Sequence, residues 1–148
     1  MKITIVHRNK NHQLLVSYKN IERFLESILT DDSKYTIGKF RETVPCLANG
    51  YMGYKGMATW KHVLPAAEFG KDEQGNLVMR QNNGVLLLTF ANFKEDNLET
   101  AKQKLACLPS TLAVLLGVDG VSLNVLVKYT KADGCLPIDE AEAEMVYQ

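Results

Sequence analysis

Polar and apolar residues alternate from the first residues of the chain: Ile3, Ile5 and His7 take one side and Lys2, Thr4 and Val6 the other. That period of two, carried by β-branched side chains, predicts a half-buried strand over 2–7. The period then changes. Ile21, Phe24, Leu25, Ile28 and Leu29 recur at intervals of three and four, which predicts an amphipathic helix over 18–29 ended by Asp31-Asp32-Ser33. Lys34 to Val44 reads as a second short helix with Ile37, Phe40 and Val44 turned inward, stopped at Pro45 because proline disfavours helical geometry in the residue before it.

Regularity returns after a long interval. His62–Phe69 and Leu77–Arg80 flank the polar turn Gly70-Lys71-Asp72-Glu73-Gln74-Gly75-Asn76, the pattern of a hairpin with an exposed tip. A second turn, Gln81-Asn82-Asn83-Gly84, uses the Asn-Gly pair suited to positive φ. Val85 to Leu88 follow, apolar on both faces, and predict a strand that is covered on both sides or central in its sheet. Asp96 with Glu99 forms a capping pair for a helix that turns Leu98, Ala101 and Leu105 inward and is closed by Pro109. Two more strands, Leu112–Leu116 and Leu123–Val127, pivot on Gly117-Val118-Asp119-Gly120, and an acidic helix-like segment runs from Asp139 to Gln148. The expected fold is α+β: a central, mostly antiparallel sheet of five or six strands with the helices 18–29 and 96–107 packed on it.

Size supports a single domain over 1–148, since a chain of 148 residues buries roughly 70% of its unfolded surface and needs no metal or disulfide staple. Lys plus Arg and Asp plus Glu each total 17, so no global field draws the chain to DNA or to an anionic membrane, and contacts must be argued locally. Cys46, Cys107 and Cys135 are an odd set without CxxC spacing, which fits free thiols in a reducing, cytoplasmic compartment. The start has no signal-peptide pattern, and no apolar run is long enough to cross a bilayer. The final helix lacks a C-cap glycine, so the gene product is expected to continue past Gln148.

Candidate chemistry is local. Between 34 and 67, Lys34, Lys39, Arg41, Lys55 and Lys61 stand against a single nearby acid, Glu42, and are interleaved with Tyr51, Tyr54 and Trp60. Cations neutralise phosphates and aromatic faces stack on bases, so Lys39, Arg41, Tyr51, Tyr54, Lys55, Trp60 and Lys61 make a candidate single-strand surface. The same composition also fits a surface loop whose aromatics cover the core. Gly50, Gly53 and Gly56 make no phosphate cradle, because no strand precedes them and no Gly-Lys-Ser/Thr follows. His7, His12 and His62 have no carboxylate or cysteine spaced to complete a metal set.

Four runs together carry a family resemblance: VLPAAEF at 63–69, NNGVLLLTFANF at 82–93, LPSTLAVLLGVDGVSLNVLV at 108–127 and DGCLPIDEAEAE at 133–144. In this order they resemble the VirE-type amino-terminal domain of bacterial mobile-element proteins, which is similar to the palm of archaeo-eukaryotic primases. The resemblance implies the amino-terminal part of a longer replication protein, with single-stranded DNA or a helicase-like region of the same protein as partner. It also implies where catalysis would sit. In primase-like members the apolar strand ends in two carboxylates one residue apart, holding metals for phosphoryl transfer; Thr89 and Ala91 occupy those positions here. The family's glycine-rich turn with a following cation reads Gly117, Asp119, Gly120, Ser122 and Asn124, with a neutral amide in the cation's place and an added negative charge. Taken by itself this turn is also a plain β-turn. The resemblance thus implies an inactive palm that acts as a binding module, without cofactor or metal. The alternative is a primase or nucleotidyltransferase that draws its acids from Glu68, Asp96 or Asp119.

Overall fold

The computed structural model describes residues 1–9, 11–30, 61–91, 93 and 95–146. The predicted helix over 34–44 and the glycine-aromatic stretch up to residue 60, Cys46 included, lie outside them. The described chain is mixed α+β, and every strand pair in it is antiparallel.

The strands are β1 (Lys2–Arg8), β2 (Leu14–Asn20), β3 (His62–Leu64), β4 (Ala67–Lys71), β5 (Leu77–Asn82), β6 (Val85–Phe90), β7 (Thr111–Leu116) and β8 (Leu123–Lys128). In place of one central sheet of five or six strands they form three small ones, ordered β2-β1-β3, β4-β5 and β6-β8-β7. Pro65 explains one division: it has no N–H to donate, and the run expected over 62–69 breaks there into β3 and β4. Thr4 reconnects the two sheets. Its fully buried hydroxyl donates to the Ala67 carbonyl (3.1 Å) and accepts from the Phe69 amide (2.8 Å), fastening β4 against β1.

Strand β2 was not legible in the polar and apolar pattern. Leu14 to Asn20 pair with β1 over its full length, from Lys2↔Asn20 to Arg8↔Leu14. The helix predicted from residue 18 therefore starts later, as α1 (Ile21–Thr30). Asn20 makes the junction without a loop: it is the last residue of β2, and its side-chain oxygen accepts the Glu22 amide (2.8 Å), as an N-cap does. Of the five apolar positions expected inward on α1, Ile21 is buried and Phe24 and Leu25 pack on the core, while Ile28 and Leu29 are exposed.

The β4–β5 tip forms as its residues dictate. Asp72 Oδ1 accepts the Gln74 and Asn76 amides (2.9 and 2.7 Å), and Gly75 takes φ 86°. Gly84 likewise takes φ 63° at the Asn-Gly turn. From there the order strand, helix, strand, strand is observed as β6, α2 (Glu95–Ala106), β7 and β8. Helix α2 begins one residue before Asp96, so Asp96 lies inside its first turn rather than ahead of it. Leu98, Ala101 and Leu105 are half-buried, and α2 packs on β7 and β8.

Strand β6 is an edge, and β8 is the central strand of this sheet. Val85 is buried, but Leu87, Leu88 and Phe90 are each about two-fifths exposed (45, 40 and 39%), whereas Leu123, Val125 and Leu126 of β8 are buried. The core joins the layers through Ile3, Ile21, Val85 and Leu126, with Phe24, Leu25, Val63, Leu112 and Ala113 packed around them. Beyond β8, Asp139 caps α3 (Glu140–Val146) by accepting the Glu142 amide (2.8 Å), and Glu142 accepts in return from the Ile138 amide (3.1 Å) and pairs with Lys131 (3.2 Å). No helix among the described residues is long and apolar enough to cross a membrane.

Candidate functional site

The β6–β8 pair brings together two of the positions singled out in the sequence, Thr89 and Asn124. Thr89 lies near the end of β6, and its register partner on β8 is Asn124. Partners directly opposite in an antiparallel pair share a face, so the two side chains meet. Thr89 Oγ1 donates to Asn124 Oδ1 at 2.8 Å. The position of the first expected acid and the position of the expected cation thus hold neutral groups that bond to each other. Ala91 lies past the strand end and is exposed, and neighbouring Asn92 is outside the described residues.

The loop between β7 and β8 is closed on itself. Asp119 Oδ1 accepts from the Val121 amide (3.0 Å), the Ser122 amide (3.0 Å) and the Ser122 hydroxyl (2.8 Å). Gly117 donates to the Ser122 carbonyl (2.8 Å) and Gly120 to the Gly117 carbonyl (3.0 Å), with Gly120 at φ 76°. A Cβ on Gly117 would overlap Ser122 Oγ and stand 2.8 Å from Asp119 Oδ1, so the closure requires glycine there. Partial burial pushes the Asp119 carboxyl up, but the Ser122 hydroxyl and the two amides outweigh it and hold the carboxyl below its ordinary value. The loop is a turn stapled by its own carboxylate. The Val121 and Ser122 amides, which a phosphate would need, are spent on Asp119.

The other sequence-derived positions scatter. Lys39, Arg41, Tyr51, Tyr54, Lys55 and Trp60 lie outside the described residues; Lys61 is exposed immediately before β3. Glu68 lines an open groove of about 420 Å³ with Met1, Lys2, Gln81, Asn82 and Asn83. Two of its amides are already committed: Asn82 bonds the Tyr129 hydroxyl (3.0 Å) and the Gly84 amide (2.7 Å), and Asn83 donates to the carbonyls of Lys2 (2.7 Å) and Pro65 (3.0 Å). Among the described residues no three His, Cys, Asp or Glu side chains are grouped to hold a metal ion. His12 sits in the β1–β2 turn at φ 59°, and His62 is exposed at the start of β3.

The Asp119 staple had a signal in the sequence: Asp followed by Gly, with Ser three residues on, is an Asx-turn pattern. The Thr89–Asn124 bond had none, because its partners are 35 residues apart. Arg80 was also missed. It is the extra residue of a β-bulge, between Met79, which pairs with Phe69, and Gln81, which pairs with Glu68. The bulge turns its side chain over Gly70, and Arg80 Nη2 donates to the Lys71 carbonyl (3.1 Å).

A family model described as BT4734-like, N-terminal domain matches residues 57–148. No curated protein and no solved structure matches the chain.

Proposed function

The chain belongs to the BT4734-like, N-terminal domain family, and from that premise we propose that it is a catalytically inactive, primase-palm-like module that binds single-stranded DNA within a longer mobile-element replication protein. The observation that carries the reading is the bond between Thr89 and Asn124. A palm needs carboxylates for metal at the end of this strand and a cation beside it; a neutral hydroxyl bonded to a neutral amide can supply neither. The Asp119 staple supports the same reading, since it consumes the Val121 and Ser122 amides and sets a negative charge where a phosphate would need them. The order β6, α2, β7, β8 agrees with a palm core. The exposed, free thiols of Cys107 and Cys135 suit a reducing cytoplasm.

In this proposal DNA contacts run through Lys39, Arg41, Lys55 and Lys61 on phosphates and Tyr51, Tyr54 or Trp60 on bases. The test is titration with labelled oligothymidine, following polarisation and Trp60 emission. Trp60→Ala is expected to weaken binding by about 1 to 3 kcal/mol without changing the salt dependence. Unchanged emission at low salt, with a Lys55→Ala, Lys61→Ala double variant that binds like the parent, would refute it. Metal-dependent, template-dependent nucleotide incorporation that vanishes on replacing Glu68, Asp96 or Asp119 by alanine would instead favour an active enzyme.

A further inference from the structure

We propose that Arg8, Lys71 and Arg80, with the exposed ring of Tyr18, form a second contact surface for a nucleic-acid single strand, at the end of the β2-β1-β3 and β4-β5 sheets. This rests on the single-strand reading above and adds to it a place on the fold. The residues are far apart in the chain, and the sheets assemble them. Arg8 is the last residue of β1, and its register partner is Leu14. The Lys71 ammonium bonds the Leu14 carbonyl, which puts the end of β4 beside the end of β1. Arg80 reaches the Lys71 carbonyl from the bulge in β5. Tyr18 donates its hydroxyl to the Phe69 carbonyl (2.7 Å), two residues before Lys71, and remains 48% exposed.

The cations are exposed, and among the described residues none has an ion-pair partner; the ion pairs there involve only Lys102 and Lys131. Two acids, Asp72 and Glu73, directly follow Lys71 in the β4–β5 tip; the Asp72 carboxylate keeps its charge while it accepts from the Gln74 and Asn76 amides and the Asn76 side chain. The other acids include Glu68 on β4, Glu22 and Glu26 on α1, Glu99 on α2 and Glu142 and Glu144 on α3. The chain is neutral as a whole, and with Arg8, Lys71 and Arg80 set against Asp72 and Glu73 this end of the sheets keeps a small positive excess that attracts a polyanion. An aromatic ring beside the cations favours a strand with unstacked bases over other polyanions. Gly70 is part of the construction. A Cβ there would stand 2.6 Å from Arg80 Nε, so glycine lets the guanidinium lie across β4.

The experiment is oligothymidine binding by the full chain at several salt concentrations, with thermal melts to verify folding. Arg8→Gln, Lys71→Gln and Arg80→Gln are each expected to lower the slope of log K against log salt by roughly 0.7, the value for one phosphate contact on a single strand. Lys104→Gln, an exposed cation on α2, is expected to leave it unchanged. Gly70→Ala retains every charge but moves the Arg80 guanidinium off β4, and it is expected to lower the slope in the same direction as Arg80→Gln but by less, which a mere change of net charge cannot explain. Because Lys71→Gln also removes a bond to Leu14, Arg80→Gln and Gly70→Ala stand as the deciding variants should it unfold. If the parent binds and loses affinity through Trp60→Ala but keeps its slope in both deciding variants, this surface is refuted and the single-strand reading stands. If the parent does not bind at all, both fall. If dextran sulfate binds as tightly per charge and Tyr18→Ala has no effect on oligothymidine, the surface is a general polyanion patch and the nucleic-acid assignment is overturned.

Discussion

Replacing Asp119 by alanine tests whether the β7–β8 loop is a structural staple or an open ligand site. The carboxylate accepts two backbone amides and one hydroxyl through a single oxygen, Oδ1. Val121 is exposed, so its amide can turn to water at little cost. Ser122 is only 6% exposed, and its amide and hydroxyl lose their acceptor where water reaches them poorly. A buried donor left unpartnered costs about 1 to 3 kcal/mol, and with one of the three bonds rehydrated a total of about 2 kcal/mol is expected. For a domain of this size that corresponds to a fall in Tm of about 4 to 8 °C, read by circular dichroism at neutral pH. Asp119→Asn keeps an acceptor oxygen but loses the charge, and it is expected to fall about half as far, because charge-assisted bonds are roughly twice as strong as neutral ones. An alanine variant melting within about 1 °C of the parent would refute the staple, since that shift is below the cost of one lost bond in a domain of this size.

Other perturbations address other joints. Thr4→Val keeps the shape but removes the hydroxyl that both donates to Ala67 and accepts from Phe69, so β4 should loosen from β1 at a cost of about 2 kcal/mol, visible as a lower urea midpoint and faster amide exchange at Phe69. Gly84→Ala combines a left-handed φ of 63° with a Cβ 2.5 Å from the Leu136 side chain and 3.0 Å from the Tyr129 carbonyl, and it is expected to cost at least about 1 to 2 kcal/mol in chemical denaturation. Acid should destabilise the fold through three carboxylates. Asp72 is held low chiefly by the Asn76 side chain, Asp133 chiefly by the Cys135 amide, and Asp119 by its loop against the opposing effect of burial. Each has a folded value below the ordinary 3.8, so its contribution is present above that pH and is lost as pH falls through the folded value; Asp119→Asn should flatten the stability-pH curve in that window. At the other extreme, the Glu142 hydrogen bond raises the Lys131 ammonium above 10.5. Its contribution is full below that pH and is lost as pH rises through the folded value, so alkaline exchange should rise first at the start of α3 in the parent but not selectively in Lys131→Met.

By itself the sequence determined what depends on neighbours. The existence of β1, the Asp72 to Asn76 tip, the positive φ at Gly84 and the inward positions of α2 were legible, because a period or a turn residue acts within a few positions of itself. The half-buried alternation expected of β1 is not observed: Thr4 and Val6 are buried as Ile3 is, because β4 covers the second face through the Thr4 hydroxyl. Only the tertiary structure decided which strand lies beside which. The apolar run of β6 reads locally like a central strand, yet β8 takes the centre and leaves Leu87, Leu88 and Phe90 partly exposed, since pairing is settled by contacts across the chain. Strand β2 was hidden for a related reason: Leu14 to Asn20 run straight into the cap of α1, and no loop residue separates a strand from a helix there. The chemistry divides the same way. The absence of carboxylates at residues 89 and 91 is written in the sequence. The Thr89–Asn124 bond, and the arrival of Lys71 and Arg80 beside Arg8, exist only once register and bulge are set. A shift of one residue would turn each of these side chains to the opposite face.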